Sequence, residues 1–123
     1  MSLGNKHEPT QCQMVGDVLA RVGDKWTVFV VRLLADRPMR FNELKRAVDG
    51  ISQRMLTLTL RGLERDGLVT RTVYPTVPPR VDYELTDLGQ TLITMLQGLG
   101  EWAIANRPTI VAARAAYDAR AAE

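Results

Sequence analysis

Residues 51–68, ISQRMLTLTLRGLERDGL, decide the fold. At about 100° per residue, Leu56, Leu60 and Leu63 fall within roughly 60° of arc, the i, i+4, i+7 spacing of a helical stripe that faces a core. The opposite side gathers Arg54, Leu58, Arg61 and Arg65 within a similar arc of about 60°, with Gln53 and Thr57 toward the N-terminal flank. Ser52 carries the short hydroxyl that accepts from a free amide of a first turn, so the helix starts there. Asp66-Gly67 ends it, because glycine takes the positive φ that closes helices. The stretch predicts one helix with a leucine face and a guanidinium face. A basic face of this kind is either merely solvated or built for a polyanion, and the flanking segments must choose.

Upstream, Phe41–Val48 (FNELKRAV) sets Leu44 and Val48 at i and i+4 with Phe41 three residues before, which predicts a short amphipathic helix flanked by Arg40 or Asn42. Asp49-Gly50-Ile51 then makes a tight glycine turn straight into Ser52. Helix, glycine turn, helix is a helix-turn-helix, over about residues 41–66. Downstream, Leu68–Tyr74 is rich in β-branched residues and Val81–Leu85 alternates apolar with acidic side chains, so two strands are expected. Pro75–Arg80 (PTVPPR) between them cannot continue a ladder and predicts a protruding loop, a wing within residues 68–85.

The rest of the chain is helical in pattern. Val15, Val18, Leu19 and Val22 recur at spacings of three and four within residues 12–22. Lys25–Ala35 is apolar on nearly every side, as in a central helix surrounded by others, although Thr27–Val31 alone also suits a strand. Asp36-Arg37-Pro38 breaks that pattern. Thr86 can cap a last major helix in which Leu88, Leu92, Met95, Leu99 and Trp102 step by four and three, a heptad seam widened by Leu96 and Ala103. The seam suits either core packing or a subunit partner. Gly98 and Gly100 each weaken it by about 1 kcal/mol relative to alanine. Pro108 is expected to interrupt it, leaving a separate alanine-rich helix from Thr109 to Glu123.

Composition narrows the function. A chain of 123 residues with 46% apolar content supports one domain, expected over residues 12–123 behind a polar, disordered lead at residues 1–11. No run approaches the roughly 18 apolar residues of a membrane span, and the N-terminus carries no apolar signal segment, so a soluble, cytoplasmic protein with no membrane association is expected. One cysteine, Cys12, and one histidine, His7, leave no internal disulfide and no cluster for a metal. Neither a phosphate-cradling glycine loop nor a Ser/His/acid set is present, so no catalytic residues and no cofactor are expected. Charge is unevenly spread. Residues 40–80 hold eight basic side chains against four acidic ones, a net +4 within a chain total of +2. That polarisation favours a polyanion-binding face on an otherwise slightly acidic body.

Together, GDKWTVFVVRLL, RFNELKRAVDGISQRMLTLTLRGLERDGLV, YPTVPPRVDYELTDLG and the heptad helix resemble the HxlR family of bacterial winged helix-turn-helix regulators, relatives of the MarR group. The resemblance runs from Cys12 to about Trp102 and implies a mainly α fold with a small β-hairpin. It implies a homodimeric transcription factor, a repressor or related regulator, on double-stranded DNA with a near-palindromic operator. Residues 12–22 and 87–122 would form the dimerisation helices, through Val15, Leu88, Leu92, Met95, Leu99 and Trp102. The reading-helix positions fall on Ser52, Gln53, Arg54, Thr57 and Arg61, and the wing positions on Arg71 and Arg80. Arg40, Asn42 and Lys45 would touch phosphate, and Arg65 either phosphate or a structural partner. Gln and Arg near the helix N-terminus suit base edges, and more distant arginines suit phosphates. Leu58 stands where the family more often has a polar residue, and leaves either an apolar contact to a thymine methyl or one contact fewer. Cys12 takes the place of an N-terminal cysteine with which some members sense oxidants or electrophiles; the other reading is an inert small side chain. No set of ligand-lining residues points to a small-molecule effector. The rival reading is a winged-helix module that docks a protein without specific DNA binding.

Overall fold

The computed structural model describes residues 10–122. The elements run α1 (Gln11–Gly23), α2 (Lys25–Leu34), β1 (Met39–Arg40), α3 (Phe41–Ala47), α4 (Gln53–Arg65), β2 (Val69–Tyr74), β3 (Arg80–Leu85) and α5 (Asp87–Ala121). This is the mainly helical winged helix-turn-helix class that the sequence predicts. The chain divides into two compact units, one ending at Gln90 and the other beginning at Thr91. Among the described residues no helix is long and apolar enough to cross a membrane.

The first nine residues of the expected lead lie outside the described residues, as does His7. Thr10 and Gln11, assigned to that lead, belong instead to the start of α1. The Thr10 hydroxyl accepts from the Gln13 N–H at 3.1 Å, and the Gln13 side chain accepts from the Thr10 N–H at 2.7 Å. This reciprocal box satisfies two donors that a helix start leaves open.

In the first unit the core collects Val30, Val31 and Leu34 from α2, Leu44 from α3, Leu56, Leu60 and Leu63 from α4, and Val69, Tyr83 and Leu85 from the strands. Asp24 decides the helix-or-strand ambiguity of α2. Its carboxylate accepts from the Trp26 N–H at 2.8 Å and the Thr27 N–H at 3.3 Å, so the apolar run begins as a capped helix. The expectation that α2 is enclosed all round is corrected at Phe29, which is exposed; the helix buries the stripe of Thr27, Val30, Val31 and Leu34 and leaves the other side open.

The sheet is antiparallel in the order β1-β3-β2. Its third strand, the two-residue β1, has no counterpart among the two strands expected. Met39 lies opposite Tyr83 and Arg40 opposite Asp82, while β2 pairs with β3 from Val69↔Leu85 to Tyr74↔Arg80. Thr86 closes the base of this hairpin. Its hydroxyl donates to the Gly67 carbonyl at 2.6 Å and accepts from the Gly89 N–H at 3.0 Å, and its own N–H donates to the Leu68 carbonyl at 3.0 Å.

The second unit is helical from Thr91 onward. Pro108 does not interrupt it: α5 runs on to Ala121 with the proline inside, so the separate helix expected from Thr109 does not exist. Proline removes one i→i−4 bond and crowds the carbonyl before it. Ala103, Ala105, Ala112, Ala113, Ala115 and Ala116 surround it with strong helix formers that carry the helix across the defect.

Candidate nucleic-acid interface

Local chemistry sets the helix-turn-helix. The Arg40 N–H at the start of α3 donates to Glu43 Oε1 at 3.0 Å, and Arg37 Nη2 donates to Glu43 Oε2 at 2.9 Å. The Arg37 hydrogen bond, aided by the Arg40 amide, holds the Glu43 carboxyl below its ordinary pKa. Gly50 takes φ +81°, open to glycine and strained for other residues, and turns the chain so that Ile51 is buried. The Ser52 hydroxyl then accepts from the Met55 N–H at 3.0 Å and starts α4. At the other end Gly67, with φ +75°, closes the helix.

Helix α4 separates its faces as expected. Leu56, Leu60 and Leu63 are buried, together with Thr59 and Gly62. Gln53, Arg54, Arg61 and Arg65 are exposed, and none of the three arginines has a carboxylate within ion-pair distance among the described residues. The structural partner considered for Arg65 is therefore not seen. Thr57 is half-buried, and its hydroxyl donates to the Gln53 carbonyl at 2.9 Å. Leu58 is 47% exposed amid the guanidiniums. The helix's far end is tied to α1: Arg21 Nε donates to Asp66 Oδ2 at 2.8 Å, and the Arg21 guanidinium lies where a Cβ on residue 62 would stand. Glycine at that position lets α1 reach the end of α4.

The wing holds its arginine differently. Arg80 forms a two-pronged pair with Asp82, Nε to Oδ1 at 3.0 Å and Nη2 to Oδ2 at 2.8 Å, and its guanidinium sits 5.0 Å from the Tyr74 ring centre. Arg40 Nε approaches the same Asp82 at 4.0 Å. The Arg80 hydrogen bonds lower the Asp82 pKa, and Asp82 in turn raises that of Arg80. Arg71 is exposed on β2, and Val77 at the loop tip is 100% exposed. An open groove of about 1290 Å³ lies between the β1–α3 segment and this loop, edged by Arg37, Arg40, Arg46 and Arg80 against Glu43 and Asp82. Asn42 lines it, whereas Lys45 is half-buried on α3 and does not. Sequence reasoning missed Arg37, Arg46 and Asp82. Period-two alternation placed Asp82 on the face opposite its apolar neighbours, and only the short β1 makes that face a meeting point for two arginines.

Cys12 is exposed on α1, where Met14, Val15, Val18 and Leu19 are exposed too. Of the seam residues on α5, Leu88, Met95, Leu99 and Trp102 are exposed, Leu92 is half-buried and Leu96 is buried.

The HxlR-like helix-turn-helix family matches residues 21–110. The chain is 46% identical over 93 residues to the HTH-type transcriptional regulator BH0655 of Halalkalibacterium halodurans, across 75% of this chain and 82% of that one. Among solved structures, the transcriptional regulator ytfH from Salmonella typhimurium superposes with a TM-score of 0.74 at 36% identity, across 90% of this chain and 97% of the other. The redox regulator HypR in its reduced form superposes with a TM-score of 0.73 at 42% identity, across 80% and 98%.

Proposed function

Since the chain belongs to the HxlR-like helix-turn-helix family of transcriptional regulators, we propose that it acts in the cytoplasm as a homodimeric repressor on a near-palindromic operator. The observation that carries this reading is the outer face of α4. It presents Arg54, Arg61 and Arg65 on one side of a capped helix, with no carboxylate within ion-pair distance of them among the described residues. In a major groove, Gln53 and Arg54 in the first turn reach base edges, Ser52 and Thr57 add hydroxyl contacts, and Arg61 and Arg65 follow the phosphates. Arg40, Asn42, Lys45, Arg71 and Arg80 hold the flanking backbone. Each unit offers exposed apolar side chains to a second copy, Val15 and Leu88 in the first and Met95, Leu99 and Trp102 in the second. Twofold symmetry then spaces the half-sites by about 10 bp, one helical turn.

Cys12 makes the regulator responsive to thiol oxidants. Its exposure gives an oxidant access, and the neighbour HypR is a redox regulator. With one cysteine per chain, oxidation joins Cys12 to a second copy or to a low-molecular-weight thiol.

Selection of bound fragments from random duplex DNA, followed by footprinting across a salt series, tests the reading. A recovered palindrome whose affinity falls steeply with salt supports it. Absence of any preferred site, with salt-insensitive affinity, sinks it and leaves a protein-docking module. Diamide should release DNA from the wild type and not from Cys12→Ser; equal release from both excludes a role for the thiol.

A further inference from the structure

The polar face of α4 holds one side chain that its chemistry does not explain. Leu58 lies about 180° around the helix from the midpoint of Leu56 and Leu60, as far from the core as a residue of this helix can be. It is 47% exposed and stands outside the buried core. One turn before it stands Arg54 and one turn after it Arg61, both exposed and without ion pairs among the described residues. Its rise from Gln53 is about 7.5 Å, which places it within the first two turns, the portion of a reading helix that lies against base edges.

An apolar side chain between two free guanidiniums gains nothing from water and cannot join the core. Along the major groove, base edges offer mainly hydrogen-bonding groups, and the one apolar group that projects from them is the methyl on C5 of thymine. A 5-methylcytosine presents the same group at the same depth. We infer that Leu58 reads a pyrimidine 5-methyl group in each half-site, resting on the proposed DNA-binding function. Arg54, one turn before it, favours guanine beside that pyrimidine through its O6 and N7, while Arg61, one turn after it, stays on the phosphates. Leu58 is then a specificity-determining residue: it adds discrimination by burying one methyl group, while the arginines hold the helix in place.

The test uses the full-length protein and the palindrome selected above. Each thymine of one half-site, and its symmetry mate, is replaced in turn by deoxyuridine, which deletes the methyl and leaves the hydrogen-bonding edge intact. Wild-type affinity should fall about fourfold per half-site at one position, the equivalent of one buried methyl group. Leu58→Ala should be indifferent to that same replacement while still binding the palindrome and responding to changes elsewhere in it. If selection places cytosine there, 5-methylation of that cytosine should strengthen wild-type binding and leave Leu58→Ala unchanged. The inference is overturned if no replacement or methylation alters wild-type affinity, or if Leu58→Ala keeps the full sensitivity; DNA binding itself would survive either result. Failure to select any palindrome removes the function on which the inference rests, a separate and recognisable outcome.

Discussion

In α4, Leu56, Leu60 and Leu63 are spaced by four and three and are all buried within their own unit. In α5, Leu88, Leu92, Met95, Leu99 and Trp102 follow the same steps, and four of the five are exposed. The periodic signal in the sequence is the same; the surroundings are not. A leucine stripe covered by its own chain stabilises a fold, whereas one left in water costs solubility until another surface covers it. The stripe of α4 is therefore covered by its own fold, whereas that of α5 is the one a second copy would cover in the proposed homodimer.

Truncation separates the two roles most strongly. Leu56→Ala removes a fully buried side chain and should destabilise the fold by about 2–5 kcal/mol in denaturant unfolding. Leu99→Ala, already exposed in the single chain, should leave secondary structure intact by circular dichroism and weaken self-association in sedimentation equilibrium. Equal losses of stability at both positions would erase the distinction. Next in size is the contrast between free and paired arginines. Arg54→Ala should cost about 1–3 kcal/mol and relax base preference at one operator position. Arg80→Ala, whose charge is already partly balanced by Asp82, should weaken all sequences alike and reduce the salt slope by less than about one. The smallest effect concerns pH. Because Arg80 lowers the Asp82 pKa, their pairing contributes fully above the ordinary aspartate pKa and is lost as pH falls through the lowered value. A carboxyl-carbon NMR titration should therefore show Asp82 protonating below the ordinary aspartate range, and Arg80→Ala should bring its midpoint back up.

Much of this was legible because it is local. Ser52, Gly67 and Thr86 announce helix ends through chemistry that acts within three or four residues, and each sits where the sequence placed it. The leucine stripe of α4 was equally plain. Contacts that join distant residues were not. Arg21 and Asp66 are 45 positions apart, and nothing in either segment names the other. Strand β1 is two residues long, too short for alternation to register, so the role of Asp82 beside Arg40 stayed hidden. Pro108 misled in the other direction. Its penalty is real, but an alanine-rich helix absorbs it, and propensity summed over many residues outweighed one breaker.

Thr86 gives the sheet's base a mechanical meaning. One hydroxyl donates to the carbonyl at the end of α4 and accepts from the first turn of α5, so it acts as a pin through the root of both helices. Tilting the first turn of α5 must either carry the trailing end of α4 along or break a 2.6 Å hydrogen bond. The Thr86 N–H, donating to the Leu68 carbonyl at 3.0 Å, backs that hydroxyl, so one residue fastens both roots through three hydrogen bonds.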